Sequence, residues 1–478
     1  MEKNKRTYTT LHNHTHYSNL RLIDSINTEE TLIDRAYELG LKGVAITDHE
    51  SVSGHIKALN YYNKKYTDEQ KEDFKLILGN EIYLTRSTLN SETHQKGEKF
   101  YHLLLLAKDA IGHEQLRQLS SKAWNRAYYR NMMRTPTFME DLHEVVKANS
   151  GHLICSTACL GSYPAQMFLM NELEAIDPFL QSMVDVFGKD NFFIEIQPSM
   201  NQNQIDYNSF MIINFWQDYN FIFTTDSHYL KKEDQEVHRL YLQSKSGATR
   251  EVDEYYGSAY LMDYEEVKTY FDFYISMPKI EIMKNNTNKI NNMITSYSLN
   301  HGQIVPQIEY ENRFDNDKLI KVRKLFEPYN CKLKYKYLDY YLNTKDKADS
   351  YLINLILEGY SDKLIDIKDT LTVEKRMERL DYELEQIHET SLQIDQPLAD
   401  YFITMSKMID IIWNEAESLV GPGRGSASGF LINYLIGITQ IDPMTQELYM
   451  PPWRLAYATH MAGYKSCIGL LCMVTCSK

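Results

Sequence analysis

The sequence has no run of 18 apolar residues, so it offers no membrane-spanning helix. Glu2-Lys3-Asn4-Lys5-Arg6 follows the first methionine with no apolar stretch behind it, so no secretory signal is expected. Cysteine is scarce, six in 478 residues at irregular spacing, which argues against a disulfide framework and for a reducing, cytoplasmic setting. Positive charge is also short. Lys and Arg number 51 against 65 Asp and Glu, and the net charge of −14 excludes a general polyanion-coating protein. A locally basic groove stays compatible with that balance. Tyrosine is abundant, at 36, and a charged content of 24% rules out wholesale disorder. The length accommodates two to four domains and a sizeable core.

The chemistry starts near the N-terminus, at Leu11-His12-Asn13-His14-Thr15-His16-Tyr17-Ser18. Thr7 to Leu11 is rich in β-formers, so a strand ends at the histidines, and His12 and His14, two apart, then share a face. Two neutral imidazoles on one face make half of a metal site; the bland alternative is a polar loop with incidental histidines. A helix follows over Thr28 to Gly40, with an N-cap, acids in the first turn, an apolar face at Leu32, Ile33, Ala36 and Leu39, and a glycine stop.

The same theme recurs along the next 190 or so residues. Strands are expected at 44–49, ending in Asp48-His49, at 76–83 with Glu81 inside an apolar run, and at 100–106, opened by His102. Further strands are expected at 152–156, followed by Cys159, at 191–197, and at 221–228, ending in Asp226-Ser227-His228. Helical patterns lie between most of them, which indicates a parallel sheet or an α/β barrel. Several of the potential ligands fall at or just beyond strand C-termini, where barrel enzymes assemble their sites; Glu81 and His102 fit that rule less neatly. Nine potential ligands distributed in this way point to a multinuclear metal site.

The order His12-x-His14, Asp24, Asp48-His49, Glu81, His102, Cys159, Asp226-x-His228 resembles the PHP (polymerase and histidinol phosphatase) domain, and most closely that of bacterial DNA polymerase III alpha subunits. The resemblance covers roughly residues 7–250 and implies a distorted (β/α)7 barrel holding up to three divalent ions, commonly zinc, manganese or iron. It makes His12, His14, Asp24, His49, Glu81, His102, Cys159, Asp226 and His228 the ligands, with Asp24 farther from His12 than is usual in the family. Paired metals generate hydroxide from water and clamp a phosphate ester for in-line attack. In the family this supports a proofreading 3′-to-5′ exonuclease in some members, while others keep the domain as a scaffold.

Residues 251–370 carry less signal. Lys321, Arg323, Lys324, Lys332, Lys334, Tyr335, Lys336 and Tyr337 form a basic-aromatic stretch that reads either as a phosphate-facing surface or as a lysine-protected edge strand. The Asn-rich run 285–292 reads as lying in or beside loops. From Thr372 a helical face returns at Met377, Leu380, Leu384 and Ile387. Then comes Gly421-Pro422-Gly423-Arg424-Gly425-Ser426-Ala427-Ser428-Gly429, feeding an expected apolar helix over 430–436. Glycines let backbone N–H groups approach a phosphate, a helix N-terminus favours an anion, and Arg424 adds a fork of donors. It is not a Walker A loop, since no Gly-Lys-Ser/Thr follows.

With Gly437 to Pro443 behind it, this loop resembles the start of the polymerase III alpha palm, a nucleotidyltransferase of the β class. The resemblance makes Gly423, Arg424, Gly425 and Ser426 contacts for a nucleotide triphosphate, and implies magnesium, DNA and dNTPs for the complete enzyme. The family's Asp-x-Asp-x-Asp run does not follow, because there is no Asp after Asp442 and Glu447 is the only later carboxylate side chain. The tail 455–478 changes composition and crowds in Cys467, Cys472 and Cys476 at a spacing poor for zinc; it reads as an out-of-frame or intron-read extension of an interrupted polymerase gene.

The expected organisation is therefore a PHP phosphoesterase domain over 1–250, a connecting or early palm region over 251–370, a partial palm over 371–454 and an atypical tail. The expected function is that of a replicative DNA polymerase III alpha-like chain in a bacterial or phage-infected cytoplasm, with phosphodiester hydrolysis at the PHP site and polymerisation by this chain alone not expected. Replisome proteins, or the remaining polymerase acting in trans, are the expected partners. The alternatives are a stand-alone PHP phosphoesterase and a non-catalytic half of a split polymerase.

Overall fold

A computed structural model of the chain describes residues 6–20, 23–85, 99–129, 134–246, 254–299 and 304–445, apart from single positions at 312, 330, 368, 417 and 424. The described residues form two compact units that part between Leu299 and Asn300. Arg424, Glu447 and the tail 455–478 lie outside the described residues.

The aliphatic and β-branched runs of the first unit form one sheet. Its strands are β1 (Thr9–Thr10), β2 (Gly43–Ile46), β3 (Lys75–Thr85), β4 (Tyr101–Ala107), β5 (Pro136–Phe138), β6 (Leu153–Ser156), β7 (Phe192–Ile196) and β8 (Asn220–Phe223). The order is β1-β2-β3-β4-β6-β7-β8, with the short β5 pairing on β3. Neighbours are parallel except around β4, which runs antiparallel to both β3 and β6. Just past β1 and β8 the sheet curls back on itself. Asn13 and Ser227 form a parallel bridge there; the His14 N–H donates to the Ser227 carbonyl (2.9 Å) and the Ser227 N–H to the His12 carbonyl (3.3 Å). The result is a distorted seven-stranded α/β barrel whose closing rim carries the histidines.

Alternate residues of these strands point inward, as the two-residue period requires. Leu11, Ala45, Ile77, Leu104, Leu106, Ile154, Phe193 and Ile222 form one buried cluster with Ile290 and Ile294. The last two belong to the helix Met277–Met293 and its C-cap. The Asn-rich run expected in loops is therefore helical. Its side chains serve the strand backbones: Thr287 accepts from the Thr9 N–H, and Asn286, Asn288 and Asn291 donate to the carbonyls of Phe221, Thr7 and Lys42. Amides on an end-plugging helix thus satisfy partly buried backbone carbonyls at the end of the barrel. This helix makes 251–299 part of the first unit, so the unit extends about 50 residues past the expected boundary at 250.

The helix Glu29–Glu38 follows its sequence signals. Thr28 caps it by accepting from the Thr31 N–H, Leu32, Ile33 and Ala36 are buried, and Gly40 turns the chain with φ +70°.

The described part of the second unit contains helices and no strand. The chief ones are Asn316–Phe326, Lys336–Asn343, Lys347–Leu364, Thr370–Ile394 and Ala399–Asn414. Met377, Leu380, Leu384 and Ile387 are fully buried in one core with residues of all the others. The basic-aromatic stretch is helical rather than an edge strand. Tyr335 is buried in that core, so it does not share an exposed face with Lys332, Lys334 and Lys336.

Candidate metal centre

All nine side chains named from the sequence meet at the closing rim of the barrel. Glu81 is the hub. Its carboxylate lies 2.7 Å from His49 Nδ1, 2.9 Å from His102 Nδ1 and 3.4 Å from both His12 Nε2 and His14 Nε2. Asp226 Oδ1 approaches His14 Nε2 at 3.0 Å and His12 Nε2 at 3.2 Å. Asp24 Oδ2 bridges His49 Nε2 (2.6 Å) and His228 Nε2 (3.1 Å). Cys159 Sγ stands 3.3 Å from His102 Nδ1. Asn19 Oδ1 accepts the N–H groups of Asp24 and Ser25 and so holds Asp24 at the site.

Strand directions explain the two residues that fitted least well. β4 runs against its neighbours, so its first residues lie at the end where the parallel strands finish, and His102 enters the site from there. β3 continues to Thr85, beyond where its parallel partner β2 stops at Ile46, and Glu81 sits on that extension, bridged to His49.

Sequence reasoning missed the groups that aim these ligands. Ser18 Oγ donates its one proton to Asp48 Oδ1 (2.8 Å), so its contact with His14 Nδ1 (3.0 Å) must be an acceptance. His14 therefore carries its proton on Nδ1 and offers the Nε2 lone pair to the centre. Asp48, adjacent to His49, holds the histidine loop by accepting from the Thr15 N–H and hydroxyl as well. Glu195, in mid-β7, takes His12 Nδ1 at 2.7 Å and is itself held by the hydroxyls of Ser156 and Thr224 and by Gln197. His228 Nδ1 donates to the Asp226 carbonyl (2.7 Å). In each case an outer partner fixes the ring and presents the other nitrogen, the arrangement that metal-ligating histidines use. The signal for Glu195 was present: a carboxylate in the apolar strand Phe192-Phe193-Ile194-Glu195-Ile196 is costly without a partner.

The electrostatics are those of a dense, buried cluster. Burial acts to lower the pKa of His12, but Asp226, Glu195 and Glu81 outweigh it and hold it well above the ordinary imidazole value. Burial likewise opposes the raised value of His49, which Glu81 and Asp24 produce. His14 behaves oppositely: burial, reinforced by His49 and His228, lowers it to about 3. Burial would raise Glu81 and Asp24, but the histidines around them bring both carboxyls well below their usual range. Burial, with Glu81 and Asp226 close by, pushes the Cys159 thiol up.

The donor set fits divalent cations. Three overlapping groups each place three ligand atoms within 4.8 Å of one another: His14 with His49 and His228, His12 with His14 and Glu81, and His49 with Glu81 and His102. His12 Nε2, His49 Nδ1 and Glu81 Oε2 are buried and lie against oppositely charged neighbours without hydrogen-bonding geometry, so these inward-facing atoms are crowded together but not satisfied by hydrogen bonds.

The PHP domain family matches residues 10–199, and the bacterial DNA polymerase III alpha NTPase domain family matches residues 350–454. The chain carries a PHP domain followed by a DNA polymerase III alpha domain. It is 39% identical, over 93% of its length, to a DNA-directed DNA polymerase of Bacillus phage SPbeta and to the probable DNA polymerase YorL of Bacillus subtilis, covering 35% of each. The DNA polymerase III subunit alpha of Aquifex aeolicus is 27% identical over 93% of this chain and 35% of the relative. The chain thus spans about a third of the length of these relatives.

In the polymerase III alpha domain, residues 421–423 are exposed and Gly425–Gly429 forms a short 3-10 turn with Ala427 and Gly429 buried; Gly423 and Gly425 have φ +150° and +61°. Gly423, Gly425 and Ser426 are exposed. The expected apolar helix is one turn, Leu431–Leu435, and its first N–H groups are already taken: Leu431 and Ile432 both donate to the buried Glu383 carboxylate at 2.8 Å. The helix N-terminus is therefore not free for a phosphate, and the loop's own backbone is what remains for one. Helix Thr370–Ile394 holds the loop's C-terminal end and the segment beyond it, through Arg379 to the Gly429 carbonyl (2.8 Å) and through Arg376 to Asp442 (2.8 Å).

Proposed function

We propose that the first unit is a metal-dependent phosphodiesterase that shortens DNA from a 3′ end, set within a replicative DNA polymerase III alpha-like protein. The observation that carries this reading is the overlap of the three ligand groups, which share His14, His49 and Glu81 and so suit two or three closely spaced ions rather than one. His12, His14, Asp24, His49, Glu81, His102, Cys159, Asp226 and His228 are the proposed ligands. The thiolate and imidazole donors favour zinc or iron over magnesium, while the carboxylates also suit manganese. Bound ions of this kind acidify a water molecule and neutralise the charge that builds on a phosphate ester.

The chain's own residues do the rest. Ser18, Glu195 and the Asp226 carbonyl keep His14, His12 and His228 in the tautomers that expose Nε2. Three buried carboxylates make the site attract cations first, and only a cation-loaded site accepts a phosphate. In the second unit we propose that the backbone of Gly423 to Ser426 contacts a nucleotide triphosphate, with magnesium and DNA engaged by the polymerase architecture as a whole. The 478 residues contain no Asp-x-Asp-x-Asp run after that loop, so primer extension is not assigned to them alone.

The test is elemental analysis of the purified chain together with digestion of single-stranded DNA on the same preparation. Two or three ions per chain and shortening that disappears in His12→Ala are expected. Bound metal without shortening would remove the exonuclease assignment, and absence of bound metal would remove the ligand assignment with it.

A further inference from the structure

Next to His49, Glu50 adopts the left-handed conformation, φ +57°, which costs a non-glycine residue on the order of 1 kcal/mol or more and persists where its surroundings demand it. Its surroundings do demand it. The Glu50 N–H donates to the Glu81 carbonyl (2.9 Å), its carbonyl accepts from the Trp124 indole (2.5 Å), and its buried Oε1 accepts the Thr135 N–H (2.6 Å). The residue thus ties two ligand-bearing segments to Arg134 and Thr135. Its second oxygen lies 3.9 Å from Arg134 Nη1.

Arg134 is held over the site's edge rather than turned into solvent. Its guanidinium lies 4.6 Å above the Tyr83 ring and donates to the Tyr83 hydroxyl at 3.1 Å. The same ring stacks on His49 (centroids 5.6 Å apart, planes 15° apart) and meets His102 edge-on at 4.7 Å. A guanidinium, about 30% exposed, therefore stands one aromatic ring beyond two of the proposed ligands. It has five donors and spends one on Tyr83, with Glu50 too far for a hydrogen bond. It is too distant to be part of the ligand cluster, and an arginine is the side chain that matches a phosphate's paired oxygens.

We propose that Arg134, braced by Tyr83 and Glu50, is a positioning residue that binds the backbone phosphate next to the scissile one, so that the centre prefers an oligonucleotide strand to an isolated phosphate ester. This rests on the phosphodiesterase reading and adds the group that distinguishes a strand from a small ester.

The experiment uses the full chain loaded with Mn²⁺ and two substrates: single-stranded decadeoxynucleotide, and bis(p-nitrophenyl) phosphate, which has one phosphate. Arg134→Ala is expected to lower the ratio of the two kcat/KM values about tenfold, mainly through KM for the decamer, with bound manganese unchanged; Arg134→Lys is expected to restore part of it. An unchanged ratio, or an equal fall for both substrates with loss of metal, overturns the proposal, the second by making Arg134 a structural residue. Should the wild-type chain cleave neither substrate, the phosphodiesterase reading fails, and anisotropy of a labelled decamer across salt concentrations then tests Arg134 by itself. One lost phosphate contact lowers the slope of log K against log salt by about 0.7; an unaltered slope overturns the proposal there too.

Discussion

Ser18 has one proton to give and gives it to Asp48, and that choice decides which nitrogen of His14 faces the centre. Single atoms of this kind set the chemistry, and they were the least legible part of the sequence. The ligands themselves announce their type: His, Asp, Glu and Cys at strand ends point to metal whatever the details. A serine four residues past His14 has no such signature, and a glutamate in the apolar strand β7 signals only that it needs a partner, because which partner it takes is decided far along the chain. Glu195 is the sharper case, buried and gripping His12 Nδ1 across 183 residues. Glu195→Gln keeps the size but offers one acceptor oxygen to the three donors that now share the carboxylate with His12. Metal affinity is expected to fall by a factor of about 10 to 100, read by competition with a chromogenic chelator, while the unit stays folded by circular dichroism. Unchanged affinity would make Glu195 a packing residue only.

At the scale of elements, most strands and the early helix were legible because their periods and caps are local. The reversal of β4 was not, since direction depends on which strand it pairs with, and neither was the helical state of 277–293, whose asparagines pay for themselves only through contacts with strand backbones of the barrel. Another pairing of elements had no sequence signal. The helices His55–Lys65 and Ala110–Tyr129 bring His55 Nδ1 within 3.0 Å of His113 Nε2, and His55 Nε2 also reaches the Gly79 carbonyl (2.8 Å) on β3. Burial lowers His55 to about 3, with His113 adding to the effect, and burial with Arg117 lowers His113 to about 4. Both folded values lie below the unfolded one of about 6.5. The unfolded chain therefore binds more protons between about pH 6.5 and pH 4, and stability is lost as pH falls through that window. His113→Leu removes one of the two groups. The drop in Tm between pH 7 and pH 5 is expected to be smaller in that variant than in wild type, even if its Tm at pH 7 is lower. An equal or steeper drop would mean that the pair titrates normally.

On the scale of the whole molecule, the two units have separate cores: the barrel interior and its surrounding helices in one, and the helical cluster from Val305 to Ile438 in the other. All nine proposed ligands, together with Ser18, Asp48 and Glu195, belong to the first. Its extent was harder to read than its site, because nothing in the composition of 251–299 shows that the helix Met277–Met293 plugs the barrel; a cut at 250 would remove Ile290 and Ile294 and expose the aliphatic layer they cover. That layer is a hydrophobic surface the unit cannot leave in water, so the cut position decides whether the metal centre survives. A fragment 1–299 is expected to bind the same number of ions as the full chain and to lose thermal stability on chelation as the full chain does, since ligand binding stabilises the folded form that holds it. A fragment 1–250 is expected to be insoluble or metal-free. Equal metal content in the two fragments would show that the centre needs only the strands and not the plug, while loss of metal from 1–299 would mean that the second unit is required to hold the centre together.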